Sequence, residues 1–325
     1  MMQTVLVGLV AGAASALLFG SIATGSLLAI LLFYVSALPV VIVAIGWSHL
    51  AGLIAAAGAA VGLAAAFGGF FFVAYLIGVG LPAWWLGYLA LLARPAQSTD
   101  GEDRLEWYPA GHLVFWCALL SALVIVCTIP NFGLDAESFR KELRKLFENI
   151  IRVQYHIPAD TAVELPGVSD AGAVLDFLVL AVPPMAAVLT MLINAANLWL
   201  AGRIVALSGR LKRPWPDLPN MQFPSYAPML LAVAIAGTFA PGLAGILATI
   251  LTASVLTAYS ILGLAVLHAI TAGMAARGAI LGGAYAGIAV FGWPMLAAAL
   301  LGLIDPMLNL RARVKAKRGA PSNRT

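Results

Sequence analysis

Among the polar or ionisable side chains in and at the ends of otherwise apolar stretches, seven are the candidates for chemistry: His49, Asp176, Asn194, Asn197, Arg203, His268 and Asp305. An ionisable group in such a run is costly to bury unless it is paired, so each is a candidate contact for a ligand or a neighbouring helix. Asn194 and Asn197 lie deepest in their stretch. At i and i+3 they share one helix face, and they suit either a substrate contact or interhelical hydrogen bonding. Asp176, His49, His268 and Asp305 fall toward the ends of their stretches, where burial costs less. Arg203 reads as a cationic anchor whose stem snorkels to the surface. The candidate substrate-binding set is Asn194, Asn197, Asp176 and His268, and Asp176 with His268 is a conceivable acid–base pair.

Other catalytic arrangements are missing. The sequence contains no His-Glu-x-x-His, no Cys-x-x-Cys and no Gly-x-x-x-x-Gly-Lys phosphate loop, so it supplies no ATPase site of its own. Gly78, Gly80 and Ala83 match the loose dinucleotide spacing, but they sit in an uncharged apolar run beside Pro82 without a βαβ unit. Four scattered histidines give no metal spacing. Cys117 and Cys127 lie ten residues apart in one apolar run, too far along a helix to bridge each other. Neither a metal, a cofactor nor an enzymatic activity is expected.

The composition explains where these residues must sit. Of 325 residues, 62% are hydrophobic and 10% are charged, against about 25% charged in a soluble domain. Residues 1–93 contain no Asp, Glu, Lys or Arg, and between Leu218 and Ile304 the only charge is Arg277. Segments of that length without charge could not be solvated. The chain is therefore expected to be an all-α, polytopic transmembrane bundle, and the pI of about 9.2 reflects positive-inside loops rather than nucleic-acid binding.

At about 20 residues per span, the candidate membrane stretches are 4–20, 26–46, 48–67, 69–93, 111–130, 172–207, 226–240, 242–270 and 278–304. Pro39 and Pro82 fall inside two of them, Pro183-Pro184 should kink the sixth, and Trp84, Trp85 and Tyr88 suggest an interfacial aromatic belt. Met1 to Gly25 lacks a basic leader region and reads as a retained first helix. Polar loops are expected at 94–110, 131–170 and 208–225, with a basic, disordered tail at 311–325 after a single bundle domain of 1–310. Within 131–170, Asp135 can cap a helix at about 136–156. Its apolar positions are Phe139, Leu143, Leu146, Phe147 and Ile150, and Glu137/Lys141 and Arg144/Glu148 are i,i+4 pairs.

Loop 208–225 and the tail are both basic, so both are expected in the cytoplasm. Three full crossings between them would forbid that. Either 226–240 does not cross, or the last stretch breaks at Gly292-Trp293-Pro294. The sequence leaves this open, and about eight membrane segments are expected. Counting back, the amphipathic helix is extracytoplasmic and the N-terminus cytoplasmic. The first helix carries Gly8, Gly12, Ala16 and Gly20 at strict i,i+4 spacing. Such a ladder allows close helix packing within the bundle or docking of a separate membrane subunit.

The segment Gly302-Leu-Ile-Asp-Pro-Met-Leu-Asn-Leu-Arg-Ala-Arg313, together with Gly263-Leu-Ala-Val-Leu-His268, resembles the YybS-like family of bacterial inner-membrane proteins. That family is distantly similar to the S components of energy-coupling-factor transporters. The resemblance implies a small-molecule pocket near the extracytoplasmic side and an energy-coupling membrane subunit docked on the Gly8/Gly12/Ala16/Gly20 face. Binding or transport of a small molecule is the leading expectation. The alternative is a membrane scaffold or assembly factor that engages proteins or lipid through the 136–156 helix or the tail.

Overall fold

The computed structural model describes residues 1–97, 103–158, 161 and 170–319. The described chain is a helical bundle, as its composition requires. Seven helices are long and apolar enough to cross a membrane, or up to eight when a bent pair is taken as one span.

The first four expected spans are present. Helix α1 is Met2–Gly20. The second span is broken into α2, Leu27–Tyr34, and α3, Leu38–Gly46, because Pro39 is accommodated in the first turn of a new helix. Ser26 caps α2 and Ser48 caps α4, His49–Phe67, each hydroxyl accepting a backbone N–H three residues on. The fourth span comprises α5, Gly69–Tyr75, a π-helical turn at Leu76–Gly80, and α6, Leu81–Ala90. Gly78 and Gly80 thus belong to a helix irregularity beside Pro82 and not to a nucleotide loop.

The small-residue ladder of α1 is used within the chain. Side chains added at Gly8 and Gly12 would come within 2.8 Å of the Ala51 carbonyl oxygen and 2.6 Å of that of Ala55, both on α4. Gly20 faces Phe67, and Ala16 is half-buried beside the same cluster. One turn from Gly12, Ser15 donates to the Ser36 carbonyl and shares a 2.6 Å hydrogen bond with the Tyr75 hydroxyl.

A short antiparallel hairpin, β1 (Ala93–Gln97) with β2 (Asp103–Trp107), interrupts the helices in the first polar loop. An all-α expectation does not contain it. The strands are apposed outside the apolar bundle, and Arg94 pairs across them with Glu106 at 2.6 Å. Helix α7, Ala110–Thr128, follows.

The amphipathic helix α8 is Ala136–Tyr155, and Asp135 caps it by accepting the N–H groups of Glu137 and Ser138. Its expected i,i+4 pairs do not form. Glu148 is taken by Arg152, Glu142 by Lys145, and Arg144 reaches across to Asp176. Asp170 then caps α9, Ala171–Leu207, which runs as one helix through Pro183-Pro184. At 37 residues it is about 55 Å long, well beyond a hydrocarbon core of about 30 Å.

The C-terminal third resolves the crossing count. Helix α10, Ala227–Gly237, leads from loop 208–225 to a turn at residues 238–242, which shares a cavity wall with Arg140, Arg144 and Asp176 at the α8 end. Helix α11, Gly242–Thr271, returns to place His268 beside loop 208–225. The last apolar stretch is broken at Gly292, where φ is +71°, into α12 (Arg277–Phe291) and α13 (Pro294–Leu308). At 15 residues each they are about 22 Å long, and α13 lies against the C-terminal half of α11, with Gly302 beside Tyr259 and Gly263. The Arg311 guanidinium donates to the carbonyls of Pro219 and Met221. The two basic segments are therefore on one face of the bundle.

Disorder was expected from residue 311, yet Leu310–Gly319 forms helix α14, whose first turn is held by the Arg311 contacts. The tail beyond Gly319, with Arg324, and the loop centre with Asp100 and Glu102 lie outside the described residues.

Two cores organise the whole. One is built from Val40, Val41, Ala55, Ala56 and Val205, joining α3, α4 and α9. The other joins α7, α9, α11 and α13 through Phe115, Met191, Ala258, Tyr259 and Ala299. Glycines allow α11 and α13 to touch: a side chain at Gly302 would lie 2.5 Å from the Tyr259 carbonyl oxygen.

Candidate functional site

A large cavity, about 830 Å³, lies at the end of the bundle that carries both basic segments. Its walls come from α7 at Leu113, α9 at Trp199 and Gly202, and α11 at Ile261, Leu264 and His268, with loop 208–225 closing it through Arg213 and Trp215. Tyr285 of α12 completes the rim, its hydroxyl 3.0 Å from His268 Nε2. A volume of this size falls within the range of about 300–1,000 Å³ usual for small-molecule sites.

The loop is held as a wall by cations of its own and by one from α9. Arg203 lies over the Trp215 ring at 5.1 Å, and Arg210 over Trp47 at 4.3 Å. Lys212 donates to the Trp47 carbonyl and Arg213 Nη1 to that of Ala90, both at 3.2 Å. Pro214, Pro216 and Pro219 reduce both the loop's freedom and the number of N–H groups it must satisfy. These basic residues do more than set orientation: they fasten the loop to the ends of α3, α6 and α9.

Arg213 is the distinctive group. Its Nε is buried and has no hydrogen-bond partner. Burial pushes its guanidinium below the ordinary pKa, although an arginine remains charged at neutral pH. An apolar cavity with Arg213 as the one Lys or Arg among its lining residues is suited to an apolar molecule bearing one acidic group.

The residues expected to form a site are dispersed. Asn194 Nδ2 donates to Ser121 Oγ at 3.0 Å, joining α9 to α7. Asn197 Nδ2 donates to the carbonyls of Tyr34 and Ile193, while its Oδ1 is buried without a partner. Both side chains thus make helix contacts, and neither lines the large cavity. Asp176 is ion-paired with Arg144 beside a second cavity. It is 26 residues before Gly202 on α9, about 39 Å along the axis, whereas His268 shares a cavity with Gly202. Asp176 and His268 cannot act as an acid–base pair, so only His268 of the expected set lines the main cavity.

Trp84, Trp85 and Tyr88 pack on one another and on Trp116, and both indole Nε1 atoms are buried without partners. They form a half-buried aromatic cluster at the end of the fourth span. Among the described residues no three His, Cys, Asp or Glu side chains are grouped to hold a metal ion. Arg213 was missed because a basic residue in a loop reads as a topology signal. Its setting, Arg213-Pro-Trp-Pro216, is apolar and stiff, and that was the available clue.

A bundle of apolar, membrane-length helices enclosing an apolar cavity defines a polytopic helical membrane protein. The chain belongs to the family "Predicted membrane protein (DUF2232)", whose model matches residues 13–306. No curated protein and no solved structure matches it.

Proposed function

We propose that the protein binds an apolar small molecule bearing one acidic group, in the cavity beside Arg213, as a binding or transport-type protein of the bacterial inner membrane. The observation that carries this reading is an 830 Å³ apolar cavity with Arg213 as the one Lys or Arg among its lining residues. With the basic loop and tail in the cytoplasm, the cavity is at the cytoplasmic end and both termini are on that side.

The likeness to YybS-like proteins and S components would add an energy-coupling subunit and an extracytoplasmic pocket. Two features weigh against that addition: α4 already covers the α1 ladder, and the large cavity is at the other end. The scaffold reading loses support in a similar way. The first turn of the tail is bound to loop 208–225 through Arg311.

The test is photolabelling of the full chain in nanodiscs with a twelve-carbon diazirine fatty acid, followed by peptide mapping. Label is expected on 195–218 and 261–268, displaced by dodecanoate at least about tenfold better than by dodecanol, a preference lost in R213Q. Equal competition by acid and alcohol, or label spread evenly over the outer helices, would refute the proposal.

A further inference from the structure

The second cavity, about 580 Å³, lies at the opposite end, between α8, α9 and the α10–α11 turn. Arg140, Lys141 and Arg144 line it, with Asp176 as the only acidic residue on its walls. Asp176 is paired with Arg144, and Arg140 and Lys141 make no hydrogen bond or ion pair among the described residues. Three cations against one carboxylate leave a surplus of two positive charges. The first turn of α11, which lacks a side-chain cap, presents Gly242 and Gly245 to the same space, and its dipole adds to the positive potential.

The remaining wall is apolar. Val179, Leu180 and Ile246 line it, and Leu180 is 70% exposed on the outside of the bundle. Helix α8 buries Phe139 and Leu143 but leaves Leu146, Ile150 and Val153 exposed on the same face. That stripe places α8 in the plane of the bilayer surface, so the cavity opens at headgroup depth, where chain contacts on one side and anion contacts on the other can be made together.

We propose that this cavity is a binding site for the phosphate headgroup of an anionic lipid. The phosphate sits among Arg140, Lys141 and Arg144, and the acyl chains run down Leu180 and Ile246. The Asp176 carboxylate competes with the phosphate for Arg144. The site stands apart from the Arg213 cavity, and its success or failure does not bear on that reading.

The experiment is native mass spectrometry of the full chain in mild detergent with phosphatidylglycerol, phosphatidylcholine or inorganic phosphate. The wild type is expected to retain phosphatidylglycerol in preference to phosphatidylcholine. Each cation contributes about fivefold near a surface, so R140Q/K141Q should reduce phosphatidylglycerol retention about 25-fold and leave phosphatidylcholine unchanged. Both side chains are exposed, so the variant should melt like the wild type. D176N should strengthen retention about fivefold by freeing Arg144. Removing two charges elsewhere, in R313Q/K315Q, should change nothing. Equal retention of the two lipids, an unaffected R140Q/K141Q, or an equal loss in R313Q/K315Q would overturn the proposal. Displacement of the lipid by millimolar inorganic phosphate would do so as well, by making free phosphate the ligand.

Discussion

Replacing Arg311 with alanine should be among the most damaging single changes outside the two cores. The Asp305 side chain is 4% exposed and that of Arg311 is 13% exposed. The carboxylate accepts from Arg311 Nε at 2.8 Å, Nη2 at 2.7 Å and the backbone N–H at 3.2 Å, while Nη1 donates to Pro219 and Met221. R311A leaves a buried carboxylate without its counter-ion and releases loop 208–225, at a cost of about 3–5 kcal/mol. R311K keeps the charge but cannot fork to acceptors on two sides, and should cost about 1–3 kcal/mol. In D305A/R311A no charge is left unpaired, so the double variant should be less damaged than the sum of its singles. Thermal unfolding in detergent should show R311A lowered by on the order of 10 °C. Trypsin should cut faster after Arg210 and Lys212 in the same variant. Additive singles, or an R311A melting point within a degree of wild type, would refute the view that this pair fastens the tail to the loop.

Three further outcomes follow from particular contacts. N194A removes one α9–α7 hydrogen bond and should cost about 0.6–1.7 kcal/mol while leaving photolabel at the Arg213 cavity unchanged, as checked by melting and label mapping. The Ser138 N–H, first among several hydrogen bonds, holds the Asp135 carboxyl below its ordinary 3.8. The cap's contribution to stability is therefore full above about pH 4 and is lost as pH falls through the lowered value. Hydrogen exchange of the 136–145 peptide, corrected for intrinsic rate, should lose protection in that window and be insensitive to it in D135A. Reporters fused after Gly273 and after Gly319 should give the same sidedness and one after Ala240 the opposite; agreement of all three would contradict the path of α10 and α11.

Local signals in the sequence survived folding where they needed only neighbours. Asp135 caps α8, and the ladder on α1 does allow close packing. What could not be read was the choice of partner across the bundle. Glu148 within α8 was an available partner for Arg144, yet the side chain pairs with Asp176 from another helix. The Asn194 and Asn197 face was legible as polar, but its satisfaction by Ser121 and the Tyr34 carbonyl depends on how α9 meets α7 and the end of α2. The main cavity was illegible for a related reason. Its walls are mostly ordinary apolar residues from several helices, and only the fold of a proline-rich loop brings Arg213 over them.

The fastening of loop 208–225 by Arg311 has a consequence for biosynthesis. The loop leaves the ribosome about ninety residues before the side chain that secures it. Throughout insertion of α10 to α13 the mouth of the large cavity lacks that latch and is held by contacts to Trp47, Ala90 and α7 and by the stacking of Arg203 on Trp215. A chain stalled or truncated before residue 311 would carry a nearly complete bundle with an unlatched entrance, and would present that apolar interior to the quality-control proteases of the membrane.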